Sequence, residues 1–198
     1  MYIKICGLRR EKDVEYVNEF RPDYVGFVFA KGRKRTVTVD EAAGLKAMLA
    51  DDIKAVGVFV DDDIESVASL LENDVIDVAQ LHGDEDETYI GKLRMMTDKP
   101  IIKAFQIDEN TDMNVIRNSS ADIVLLDSGQ GSGRELNLNH IAGVGRSYIL
   151  AGGLSPDNVA EVISRAPEGI IGVDVSSGIE TDGFKDREKI RLFMERGK

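Results

Sequence analysis

Cys6 is the only cysteine of the chain; it ends the run Tyr2-Ile3-Lys4-Ile5-Cys6 and is followed at once by Gly7. A thiol so placed can act as base or nucleophile once ionised, or it can be a small core hydrophobe. Asp127 closes the apolar run Ile123-Val124-Leu125-Leu126. It can serve as an acid or simply cap the next turn. His82 follows Gln80-Leu81 and precedes Gly83, and it reads either as a ligand-side group or as a hydrogen-bonded structural histidine. Two further segments suit an anion. Gly152-Gly153-Leu154 leads into Ser155-Pro156, an N-cap and first-position proline for a helix, and Asp174-Val175 leads into Ser176-Ser177-Gly178. Glycines let backbone N–H groups approach a phosphate closely, and serines add hydroxyl donors. A phosphorylated small molecule is the ligand these two turns imply together.

The elements that must carry these residues alternate. Strands are expected at 2–6, 24–29, 54–60, 78–81, 101–105, 123–127, 148–151 and 169–175. Helices are expected near 10–20, 39–49, 63–73, 85–95, 111–118, 156–165 and 186–196, with a weaker one around 137–143. Such alternation builds a parallel sheet covered by helices, and about 200 residues is the lower limit for eight units closed into a barrel. We therefore expect an α/β fold, one eight-fold (β/α)8 TIM barrel over 1–198, with no linker or repeat boundary. The turn after the first strand lacks the glycine fingerprint of a dinucleotide fold.

In a barrel of this kind the C-terminal ends of the strands carry the chemistry. They offer Cys6, Arg33 or Arg35, Asp61, His82, Gln106, Asp127, Gly152-Gly153 and Asp174 with Ser176-Ser177. Period-two alternation sends Ile3 and Ile5 toward the helices and Lys4 and Cys6 into the barrel. A buried lysine needs a carboxylate, and Asp127 or Asp174 is the expected partner. Asp61-Asp62-Asp63 reads as a solvated helix start. Gly129-Gln130-Gly131-Ser132-Gly133-Arg134 has the length and polarity of a loop that closes over a ligand.

Charge narrows the partners. With 25 Lys+Arg against 36 Asp+Glu the net charge is −11, which opposes non-specific binding to nucleic acid or to an acidic membrane. No apolar run approaches a membrane span, and the opening residues turn polar too soon for a signal peptide. One cysteine and two histidines leave little for a zinc site. A cytoplasmic protein without metal is expected.

In order along the chain stand Lys4-Ile5-Cys6-Gly7, Gly26-Phe27-Val28-Phe29, Val58-Phe59-Val60, Gln80-Leu81-His82-Gly83-Asp84-Glu85, Leu125-Leu126-Asp127-Ser128, Leu150-Ala151-Gly152-Gly153-Leu154 and Val173-Asp174-Val175-Ser176-Ser177-Gly178-Ile179-Glu180. Over essentially its whole length the chain resembles the phosphoribosylanthranilate isomerases. The resemblance implies an Amadori rearrangement in tryptophan synthesis, the aminoaldose becoming a carboxyphenylamino-deoxyribulose phosphate, with no metal or organic cofactor. It makes Asp127 the general acid at the furanose ring oxygen and Cys6 the general base at C2′. It assigns substrate binding to Arg35, His82, Gly152, Gly153, Asp174, Ser176 and Ser177, and leaves a monomer or a homodimer open.

Two segments depart from the family pattern. Where relatives carry Ser-Pro-Arg, this chain has Gly32-Arg33-Lys34-Arg35; Arg35 fits the anthranilate-carboxylate role by spacing, with Arg33 the substitute. The loop after Asp127 keeps donors and charge but loses an aromatic residue. Other phosphosugar barrels, such as indole-glycerol-phosphate synthases and histidine-pathway isomerases, would carry a lysine and glutamate set or two aspartates. A non-catalytic phosphoribosyl-binding module would not need the Cys6 and Asp127 pair.

Overall fold

Alternation along each strand decides the architecture. In β1 (Tyr2–Cys6), Ile3 and Ile5 are fully buried against helices, while Lys4 and Cys6 turn to the opposite side. The computed structural model describes residues 1–128 and 138–198. β1, β2 (Tyr24–Val28), β3 (Lys54–Phe59), β4 (Val78–Leu81), β5 (Ile101–Gln106), β6 (Ile123–Asp127), β7 (Tyr148–Ala151) and β8 (Ile170–Val175) pair in parallel, each with the next. β8 returns to β1 in the register Lys4 to Asp174, so the barrel is closed. Closure leaves the barrel sheet itself without an edge.

The two faces of the strands build separate cores. Outside, Ile3, Ile5, Val25, Phe27, Val173 and Val175 pack with Val14 and Val17 of α1 (Glu11–Phe20) and with Ile190 and Phe193 of α7 (Arg187–Arg196). Inside, Val56, Val78, Ile102, Ala104, Leu125, Ile149 and Ala151 fill the barrel with apolar side chains. Polar inward residues cluster toward the C-terminal ends, where the register brings Gln106 beside Asp127 and Asp127 beside Ala151.

Around this barrel lie α2 (Val39–Ala47), α3 (Ile64–Glu72), α4 (Glu87–Arg94), α5 (Met113–Arg117) and α6 (Val159–Arg165). Thr38 caps α2 reciprocally with Glu41, and Asp63, Asp86 and Asp186 accept from the first turns of α3, α4 and α7. Asp63 thus does what the acidic run suggests. No helix among the described residues is long and apolar enough to cross a membrane.

Three expectations need correction. Ser155-Pro156 does not open a helix: residues 155–158 form a turn in which Asn158 and Val159 donate to the Ser155 carbonyl, and α6 starts at Val159. Pro156 is compatible with either, because a turn also tolerates its missing N–H. The weak helix near 137–143 is, among the described residues, a single 3-10 turn at Leu138–Ile141. The stretch before α7 holds an unexpected antiparallel hairpin, β9 (Glu180–Thr181) and β10 (Phe184–Lys185), turned by Asp182 and Gly183, both at positive φ. The glycine-rich segment 129–134 falls outside the described residues.

Lys4 answers to Asp174, at 3.1 Å, with no exposure of the lysine side chain. Burial works against the ammonium, but Asp174 and Cys6 outweigh it and hold Lys4 above its ordinary value. Breaking the pair from one side leaves a buried charge unanswered. Lys4→Met should therefore cost about 3–5 kcal/mol in urea unfolding, and adding Asp174→Leu should recover most of that loss.

Candidate active site

β1 delivers Cys6 to the barrel mouth because the strand ends there and Gly7 turns the chain away at φ +84. The backbone N–H groups of Gly7 and Leu8 both donate to the Gly26 carbonyl, which ties the turn to β2. Gly26 also makes room for the thiol, since a Cβ there would stand 2.7 Å from Cys6 Sγ. Burial lifts the Cys6 thiol above its ordinary value; Lys4 and Lys185 pull it down and Asp174 pushes it up further. The resting group at neutral pH is accordingly the thiol.

A cavity of about 470 Å³ opens over the strand ends. Cys6, Arg35, His82, Asp127, Gly152, Gly153, Asp174, Ser176 and Ser177 all line it, so the structure brings the residues that the resemblance assigns to one place. A second space of about 770 Å³ adjoins it, sharing Val28, Arg35, Val58, His82, Gln106 and Ser176 and adding the apolar wall of Val60, Ala104 and Phe105. The paired spaces can hold a polar, phosphorylated part beside a flat aromatic part. Asp61 is not brought there: its carboxylate accepts from the Asp84 N–H, and it helps tie the loop after β3 to the loop after β4.

Asp127 ends β6 facing inward, and His82 Nε2 lies 3.2 Å from its Oδ2. On the other side of the ring, Gln80 Nε2 stands 2.9 Å from Nδ1. With that amide nitrogen donating, the imidazole carries its proton on Nε2 and donates to Asp127. Gln80 lines the cavity too, and the sequence placed it in a strand and in the Gln80-Leu81-His82-Gly83 motif without a role of its own; its period-two relation to His82 was the signal available.

The two turns after β7 and β8 meet. Gly152 sits at φ +93, and a Cβ there would collide with Ser128 Oγ and come within 2.7 Å of Asp127 Oδ1. A Cβ on Gly178 would strike the Leu154 carbonyl, so the β8 turn can lie directly on the β7 turn only because this residue is glycine. The hydroxyl of Ser176 is committed, donating to the Cys6 carbonyl at 3.0 Å. The Ser176 hydroxyl is therefore not a free donor, a difference from the expectation that both serines add hydroxyl donors.

Arg35 is held by a partner the sequence reading did not use. Its Nε and Nη2 each lie 2.7 Å from the Glu180 carboxylate, leaving Nη1 for anything in the cavity. Lys185 reaches the same carboxylate at 2.8 Å. Burial pushes the Glu180 carboxyl up, yet Arg35 and Lys185 bring it down to about 2. Arg33 is exposed and lines both spaces.

The family model described as N-(5′-phosphoribosyl)anthranilate (PRA) isomerase matches residues 3–196. The N-(5′-phosphoribosyl)anthranilate isomerase of Clostridium acetobutylicum is 43% identical over 203 residues, covering 98% of this chain and 96% of the relative. The phosphoribosyl anthranilate isomerase of Thermotoga maritima has a TM-score of 0.88 at 30% identity, over 100% of this chain and 98% of that one. A phosphoribosyl anthranilate isomerase in complex with reduced 1-(o-carboxyphenylamino)-1-deoxyribulose 5-phosphate has a TM-score of 0.86 at 30% identity, with the same coverage. A match across nearly the whole chain, on a barrel whose mouth gathers a thiol, a carboxylate and two glycine-serine turns, places this chain in the N-(5′-phosphoribosyl)anthranilate isomerase family.

Proposed function

We propose that the chain, acting as one catalytic barrel over 1–198, converts N-(5′-phosphoribosyl)anthranilate to 1-(2-carboxyphenylamino)-1-deoxyribulose 5-phosphate. The observation that carries the reading is Cys6 and Asp127 on separate strands, lining one cavity whose rim is the paired turns after β7 and β8. Asp127 protonates the furanose ring oxygen, the C1′–O bond breaks, and the anilino nitrogen supplies the electron pair that makes a Schiff base. The Cys6 thiolate removes the C2′ proton, and the electrons of that bond neutralise the iminium to give an enolamine. Tautomerisation then yields the ketone. Two groups flanking the ribose suit two proton transfers at different atoms. His82, donating to Asp127, orients the carboxyl group.

The backbone N–H groups of Gly152, Gly153, Ser176 and Ser177 receive the 5′-phosphate, and the Nη1 of Arg35 receives the anthranilate carboxylate. Asp174 holds Lys4 and through it the charge beneath the ribose. The ring lies along Val28, Val58 and Phe105. A single positive pocket in a chain of net charge −11 is enough for an anionic small molecule.

Mixing the purified chain with freshly made phosphoribosylanthranilate should extinguish the substrate's fluorescence; an unchanged signal would overturn the reading. Cys6→Ala or Asp127→Asn should each lower kcat on the order of 10²–10⁴-fold with the fold intact. Near wild-type turnover in Cys6→Ala would remove it as the base. Because burial raises the thiol, kcat/KM should climb with pH through the neutral range and level only at alkaline pH. Gly152→Ala should raise KM about tenfold or more, since a non-glycine residue forced to positive φ costs roughly 1–3 kcal/mol. Arg35→Ala should raise KM far more than it lowers kcat, and a larger effect from Arg33→Ala would move the carboxylate contact to Arg33.

A further inference from the structure

Lys185 is almost wholly buried, yet it sits on the short hairpin strand β10, outside the barrel. Its Nζ donates to the Ser176 carbonyl at 2.9 Å and to Glu180 Oε1 at 2.8 Å. Ser176 in turn donates to the Cys6 carbonyl at 3.0 Å. An ammonium has three N–H groups, and two are accounted for.

The charges around Cys6 come from several elements: Lys4 on β1, Asp174 on β8, Glu180 on β9, Lys185 on β10 and Arg35 from the loop after β2. Asp127 and His82 face it across the cavity and are bonded to each other. Asp174 answers Lys4. A single carboxylate, Glu180, must serve both Arg35 and Lys185. On the Cys6 side, three cations therefore stand against two carboxylates, and an ionised Cys6 would be the anion that balances them.

We propose that Lys185 is a positioning residue of this reaction: it fixes the β8 turn against Cys6 and supplies the shared positive charge that favours the Cys6 thiolate. The inference rests on Cys6 being the base. Electrostatics agree in direction. Burial is the largest influence on the thiol and opposes ionisation, with Lys4 and Lys185 acting against it. Burial likewise lowers Lys185 itself, and Glu180 and Cys6 restore it in part.

A lysine that only tied the hairpin down would leave the thiol's ionisation untouched, so the thiol is what to read. Cys6 is the only cysteine, and its alkylation by iodoacetamide followed against pH reports its ionisation without any assay of turnover. Lys185→Met should move the midpoint up by about one pH unit and slow alkylation at neutral pH about tenfold, while Lys185→Arg restores it. Lys185→Gln, which keeps a hydrogen-bond donor without the charge, should move the midpoint up in the same way. A Lys185→Met profile that superposes on the wild type overturns the proposal. If that variant does not fold, a Lys185→Gln midpoint that fails to rise overturns it instead. The kcat/KM profile should shift in parallel with the thiol. A thiol that shifts while kcat/KM does not would leave the action of Lys185 standing and refute Cys6 as the base.

Discussion

The ion pair between Lys4 and Asp174 sits where the barrel closes. These two residues are register partners across the β1–β8 seam, so the same pairing joins first strand to last and sets a charge beneath the mouth. Deep inside a protein such a pair adds little net stability over an apolar replacement, because desolvating both ions offsets their attraction. What it supplies is position. Cys6 lies two residues beyond Lys4 on the same face of β1, and period-two geometry cannot place one without the other.

Above that seam the barrel separates rigid duties from polar ones. The apolar filling of Val56, Ile102, Leu125 and Ile149 resists deformation, so strand ends keep their relative positions. Turns then bring backbone where side chains would not fit. Gly152 lies against Ser128 and Asp127, and Gly178 lies on the Leu154 carbonyl. Asp127, the turns after β7 and β8, and Cys6 therefore share one cavity of about 470 Å³. Asp127 lies directly against the Gly152 turn, so under the proposed roles the proton donor and the phosphate site abut.

Strands, the inward turn of Lys4 and Cys6, and the partner class of Lys4 were legible in the sequence because each follows from alternation over a few residues. The helix start at Ser155 was misread because serine followed by proline serves a turn as well as a cap. Glu180 and Lys185 were not assigned a role: Glu180 meets Arg35 across 145 positions of sequence, and nothing local marks such a pairing. The hairpin that carries them has strands of two residues, too short to show any period. The Arg35 guanidinium was expected to offer its fork to the ligand, whereas Glu180 occupies it. Long-range ion pairs are what single-sequence reading lacks.

The state of Cys6 follows from opposing requirements. A base that must remove a proton from carbon gains strength as its own pKa rises, but a smaller fraction of it is then ionised. Burial in the barrel mouth pushes toward a strong, rarely ionised thiolate, and Lys4 and Lys185 push toward a weaker, more abundant one. Neither cation is free to overwhelm the balance, since each is already bonded to a carboxylate. Burial has the larger say, and the group rests as a thiol held above its ordinary value. Pairing is also what keeps both cations charged, since an unpaired lysine there would be neutralised by burial.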